Sequence, residues 1–174
     1  KMTPDVAHNS TNYEGASLTF DNVVIEGEIY DGKHNGYVQA AREEYRNCTF
    51  KNHYMFAGDE VVVDNCTFEN DGQYFWTGSS EKITFSNCVF NGVDRAVKIA
   101  CVGNNMTEAR VVIFNDCEFN ATVKNKAALE IDNVASPYKV YVNDCTKSDI
   151  FNGWYNIKYN TTNSVEVYLD GAAI

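Results

Sequence analysis

Apolar and polar residues alternate at period two ahead of a series of Asx-Cys turns, and the same short phrase returns along the chain. Val61 and Val63 precede Cys66, Ile83 and Phe85 precede Cys88, Val112 and Phe114 precede Cys117, and Val140 and Val142 precede Cys145, always at the same two offsets. Such alternation marks a strand with one face buried. Two residues beyond the cysteine stand Phe50, Phe68, Phe90 and Phe119, which puts cysteine and phenylalanine on one face of a second short strand. A third apolar pattern closes each unit: Val38 with Ala40, Met55 with Ala57, Phe75 with Thr77, Val97 with Ile99, Leu129 with Ile131, and Ile157 with Tyr159.

The cysteines Cys48, Cys66, Cys88, Cys117 and Cys145 are 18, 22, 29 and 28 residues apart. A fixed core with variable length elsewhere is how a solenoid accepts insertions, which sit in loops and leave the stacked strands alone. Leu18, Phe20 and Val23 fit the pattern upstream, and Val165 with Val167 fit it downstream, where no cysteine follows. The poorest fit is Glu43, which the pattern turns inward, so an irregular coil is expected there. Three short strands per coil over about seven coils make a three-sided cylinder with internal columns of like residues, ~4.8 Å apart.

The strand, the Asx-Asn turn, the Cys-x-Phe strand and the Ala96 to Ile99 strand resemble the right-handed parallel β-helix of the pectate-lyase-like superfamily. The resemblance runs from Leu18 to Leu169. It implies an all-β, single-stranded right-handed parallel β-helix of about six to seven coils, with residues 1–17 as an N-terminal cap and 18–174 as the helix domain. It also implies a ladder of turn asparagines, falling here on Asn22, Asn47, Asn65 and Asn87, with Asp116 and Asp144 as departures. The superfamily hosts lyases, hydrolases, epimerases, phage tailspikes and adhesin stalks, so the resemblance does not select an activity.

Composition narrows the partners. A net charge of -10 argues against nucleic acid and against an anionic membrane surface. No apolar run is long enough to span a membrane. An acidic, Asn- and Tyr-rich surface fits an extracellular or cell-surface bacterial protein. The chain begins at Lys1 rather than Met and ends without a charged cap, so it is expected to belong to a longer parent with other domains. Of the 6 cysteines, five share one inward position and are expected to be free, because side chains stacked in parallel are poorly placed to bridge. Cys101 falls outside that column. Asn9, Asn47, Asn65, Asn105, Asn120 and Asn160 satisfy Asn-x-Ser/Thr, which Asn-rich turns followed by threonine produce without any glycan.

Catalysis needs more than the scaffold. Sugar hydrolysis requires two carboxyl groups about 5 to 9.5 Å apart, and the Gly-His-Gly and Arg-x-Lys segments that resemblance to polygalacturonases would require are missing. A lyase-like cluster of Asp94, Arg95, Lys98, Glu130 and Asp132 can form on successive coils, but ordinary cross-strand pairing explains the same residues. No catalytic residue and no metal ligand is assigned. Calcium remains a candidate at bends bearing Asp31, Asp59, Glu69, Asp71, Asp94 and Asp132.

If Val38, Met55, Phe75, Val97 and Leu129 point inward, then Tyr37, Tyr54, Phe56, Tyr74 and Trp76 form an exposed aromatic stripe with Lys98 and Glu130 at its polar margin. Flat rings beside polar groups suit sugars, and a large exposed apolar patch marks an interaction surface. A register slip of one residue would bury these rings instead. The function expected is a non-catalytic module that binds polysaccharide or another surface ligand. A carbohydrate-active enzyme, or a piece of one, and a purely structural stalk are the alternatives.

Overall fold

The computed structural model of the protein describes residues 15–26, 40–51, 54, 56, 58–69, 80–92, 97–100, 107–121, 126–133, 135–158 and 163–174. Its elements are strands. The first coil holds β1 (Ser17–Asp21) and β2 (Val24–Glu26), the second β3 (Arg42–Arg46) and β4 (Thr49–Lys51), the third β5 (Glu60–Asp64) and β6 (Thr67–Glu69). Next come β7 (Lys82–Ser86), β8 (Val89–Asn91) and β9 (Val97–Ala100), then β10 (Arg110–Asn115), β11 (Glu118–Asn120) and β12 (Ala127–Asp132). After β13 (Tyr138–Asn143), β14 (Thr146–Lys147) and β15 (Gly153–Ile157), β16 (Val165–Leu169) opens a last turn and β17 (Ala172–Ala173) folds back on it.

The strands sort into three sheets. The first runs β1-β3-β5-β7-β10-β13-β16-β17, the second β14-β11-β8-β6-β4-β2, and the third β15-β12-β9. All pairings are parallel except β16 with β17, so the chain is a parallel β-helix. The first sheet stacks seven parallel strands and the second six, whereas all three sides are described together only from β7 to β15. The third side of the earlier coils lies outside the described residues, as do residues 1–14 of the expected cap.

Each coil turns its first corner on one left-handed residue. Asn22, Asn47, Asn65, Asn87, Asp116 and Asp144 have φ between 51° and 55°. Asn and Asp tolerate this region best among residues with a Cβ, because their short polar side chains bond locally. Asn65 Nδ2 donates to Asn47 Oδ1 at 2.7 Å, and Asn47 Nδ2 donates to Asp21 Oδ1 at 2.9 Å. Where acid and amide exchange places, the ladder moves one residue back: Asn143 Nδ2 donates to Asn115 Oδ1 at 2.9 Å. Asp116 and Asp144 therefore keep the corner while their predecessors keep the ladder. At the far end Asp170 and Gly171, with φ of 48° and 80°, make the primed hairpin turn that reverses the chain into β17.

The columns are the expected ones. Val61, Ile83, Val112 and Val140 align in register and are buried, as are Val63, Phe85, Phe114 and Val142. Phe50, Phe68, Phe90 and Phe119 stack with ring centroids 4.5, 4.7 and 5.0 Å apart. Cys48, Cys66, Cys88, Cys117 and Cys145 are free and form the neighbouring column. Each thiol donates to the carbonyl two residues back, at 3.1 to 3.2 Å. The amides of Cys48 and Cys117 donate to the sulfur one coil on, at 3.3 Å. Burial pushes the Cys48 thiol up, and the hydrogen bond with Cys117, joined by burial, does the same at Cys145, so these thiols stay protonated. Cys101 lies outside the described residues.

Glu43 does not disturb the ladder. It sits in register between Leu18 and Val61 with its side chain in the core, so β3, where an irregularity was expected, is a regular strand.

Candidate functional site

The expected aromatic stripe is corrected where the structure describes it. Tyr54 and Phe56 lie in the core at 3% and 0% exposure, with Phe56 5.6 Å from both Tyr45 and Phe50 and Tyr54 5.1 Å from Phe50. The physical reason is area: turning two rings inward buries far more apolar surface than turning Met55 and Ala57 inward. Tyr37, Tyr74 and Trp76 lie outside the described residues.

Lys98 and Glu130 do face away from the core columns, since their neighbours Val97, Ile99, Leu129 and Ile131 fill those columns. They are direct partners on adjacent strands, yet both are buried, as are Ala100 and Ala128 on the same outward side. Strands β9 and β12 of the third sheet are thus buried on both faces, and their outer side holds a charged cluster. Lys98 Nζ is 3.7 Å from Asp132, and Lys158 Nζ is 3.8 Å from Glu130. Low exposure strengthens such attractions and also makes the charges costly to leave alone. Each carboxylate in this cluster faces a lysine, which suits ion pairing better than a proton-transfer pair. Asp94 and Arg95 lie outside the described residues.

The candidate calcium ligands do not converge where they can be followed. Glu69 faces Lys51 at 3.5 Å and Asp132 faces Lys98, and among the described residues no three His, Cys, Asp or Glu side chains gather. Of the sequon asparagines, Asn47 and Asn65 spend their amides on the ladder, and Asn120 donates to Asn91 and Glu118.

The outer face of the first sheet, which has eight strands, carries a further column of side chains. Its middle column reads Val62, Thr84, Ile113, Tyr141 and Tyr168 on consecutive rungs, all half-buried. Tyr141 and Tyr168 stack at 5.0 Å and 10°. Tyr168 donates to Glu166 Oε2 at 2.7 Å, and Lys139 is 3.7 Å from Glu166. The Glu166 hydrogen bond raises the Tyr168 pKa, so the phenol stays neutral. Because the rings face each other along the cylinder axis, they offer outward edges and hydroxyls rather than open faces. The signal in the sequence was the central outward position of each first strand, which changes from Glu44 in β3 through Val62, Thr84 and Ile113 to Tyr141 and Tyr168.

Comparison with known proteins returns no matching family model, no matching curated protein and no matching solved structure.

Proposed function

We propose that this chain is a non-catalytic module of an extracellular or cell-surface bacterial protein, built on a pectate-lyase-like β-helix, that binds polysaccharide along the outer face of its first sheet. The observation that carries the reading is the half-buried column from Val62 to Tyr168, bordered by Lys139 and Glu166. Its rungs repeat every ~4.8 Å along the axis, which suits an extended chain better than a compact molecule. Tyrosine edges pack against sugar C–H groups while their hydroxyls, Lys139 and Glu166 hydrogen-bond to sugar hydroxyls. Contacts of this kind are individually weak, so attachment depends on many together. Tyr37, Tyr74 and Trp76 remain candidates for the same ligand.

Glycan-array binding followed by affinity electrophoresis tests the reading. Retention on a polysaccharide, lost in the Tyr141→Ala/Tyr168→Ala double variant, with no reducing ends or unsaturated products released, is the expected result. Retention unchanged in that variant but lost on Trp76→Ala moves the site to Trp76. No retention on any glycan leaves the structural stalk, a role that the self-satisfied ladder also serves.

A further inference from the structure

Glu43 occupies a position that is aliphatic in every later coil, where its counterparts are Val61, Ile83, Val112, Val140 and Val167. Its side chain has no exposure to solvent. The surroundings are shaped to hold it. Tyr45 donates to Oε2 at 2.9 Å, the Tyr45 and Tyr54 hydroxyls are 2.8 Å apart, and Oε1 accepts no hydrogen bond among the described residues. Gly58 leaves the space for the carboxyl: a Cβ there would stand 2.9 Å from Cγ, Cδ and Oε1 of Glu43. A carboxylate shut off from water needs several strong donors, and here burial outweighs the Tyr45 hydroxyl and the weaker backbone contributions of Ala40 and Gly58, so the site favours the neutral acid.

We propose that the Glu43–Tyr45–Tyr54 cluster is a pH-sensitive lock on the N-terminal coils, closed while Glu43 is neutral and loosened when it ionises. Among the described residues no cation acts on the carboxyl. Within the cluster the groups acting on it are the Tyr45 and Tyr54 hydroxyls, the nearby acid Asp59 opposes ionisation, and the adjacent rungs contribute the apolar Leu18 and Val61. Burial pushes Glu43 up to about 8, against the weaker pull of the Tyr45 hydroxyl and the backbone at Ala40 and Gly58. Burial likewise raises Tyr45 and Tyr54, which stay protonated throughout. With 4.5 in the unfolded chain and about 8 in the folded one, the folded state holds the extra proton between those values. The contribution of this group is therefore fully present below pH 4.5, declines as pH rises and levels off above about pH 8, the reverse of ordinary acid denaturation.

The test compares wild type with Glu43→Gln and Glu43→Leu between about pH 5 and pH 9, reading the urea midpoint and amide hydrogen exchange. The wild-type midpoint is expected to fall across this window, with exchange accelerating in β3 and β5 relative to β10 and β13. Both variants should lose that component of the slope. A slope shared by wild type and variants, or a β3 exchange rate that does not respond to pH, overturns the lock. Should neither variant fold, infrared difference spectra of the wild type decide: the carbonyl band of a neutral carboxylic acid at pH 7 supports the proposal, and its absence ends it.

Discussion

The first and third sheets belong to the same coils and feed the same core, but they treat their outward sides in opposite ways. On the first sheet the charges are part-exposed and paired within a strand or across rungs, as with Arg42 beside Glu44 of its own strand and Glu60 of the next, or Lys139 beside Glu166 at 42% and 43% exposure. On the third, Lys98 and Glu130 face outward at 6% and 9% and are enclosed. A coil therefore fixes what points inward and leaves each outward side free to become a wet platform or a buried network. The difference also says where a substitution will hurt.

The inner columns that the two sheets share should be most sensitive of all. Phe68 is stacked between Phe50 and Phe90, and Phe68→Ala is expected to cost about 3 to 5 kcal/mol in chemical denaturation. A loss under about 1 kcal/mol would mean that the column repacks. On the third sheet, Lys98→Ala strips Asp132 of a buried cation and should cost about 3 kcal/mol. If it behaves like a surface change, the enclosure of that face is not real. Cys88→Ser should cost about 2 kcal/mol, because the shorter hydroxyl cannot hold both the 3.2 Å contact to Ser86 O and the packing that sulfur supplies. Thiol counting on the unreduced, denatured protein checks the same column independently, with a bridge between any two of its members as the contrary result. Smallest of all, Lys139→Ala on the first sheet should change stability by less than about 1 kcal/mol, with added salt erasing the effect.

What could be read in the sequence was what the cylinder repeats. Inward valines, cysteines and phenylalanines recur because each must fit the residue one rung above, and the turn asparagines recur because each corner needs a left-handed residue. Tyr54 and Phe56 were not legible because a slip of one residue reverses every side chain in a strand, and the repeated Asx-Cys phrase fixes the register of the first two strands of a coil but not of the third. Lys98 and Glu130 were correctly turned outward, yet their burial depends on what packs over the third sheet, which no periodicity within a coil encodes. Glu43 was visible as a misfit, but its accommodation rests on Tyr45, Tyr54 and Gly58 acting together, residues that only the fold brings into contact.

The rung-to-rung hydrogen bonds of the three sheets, such as Asn65 N to Ser86 O at 3.0 Å or Thr67 N to Cys48 O at 2.9 Å, all point along the cylinder. Tension applied between the two ends of the protein therefore loads successive rungs in series, and the terminal rung gives way before force reaches the middle. Pulling sideways on a single strand loads all the bonds of that strand at once. The molecule should be mechanically anisotropic, peeling coil by coil under axial tension and resisting shear across its faces.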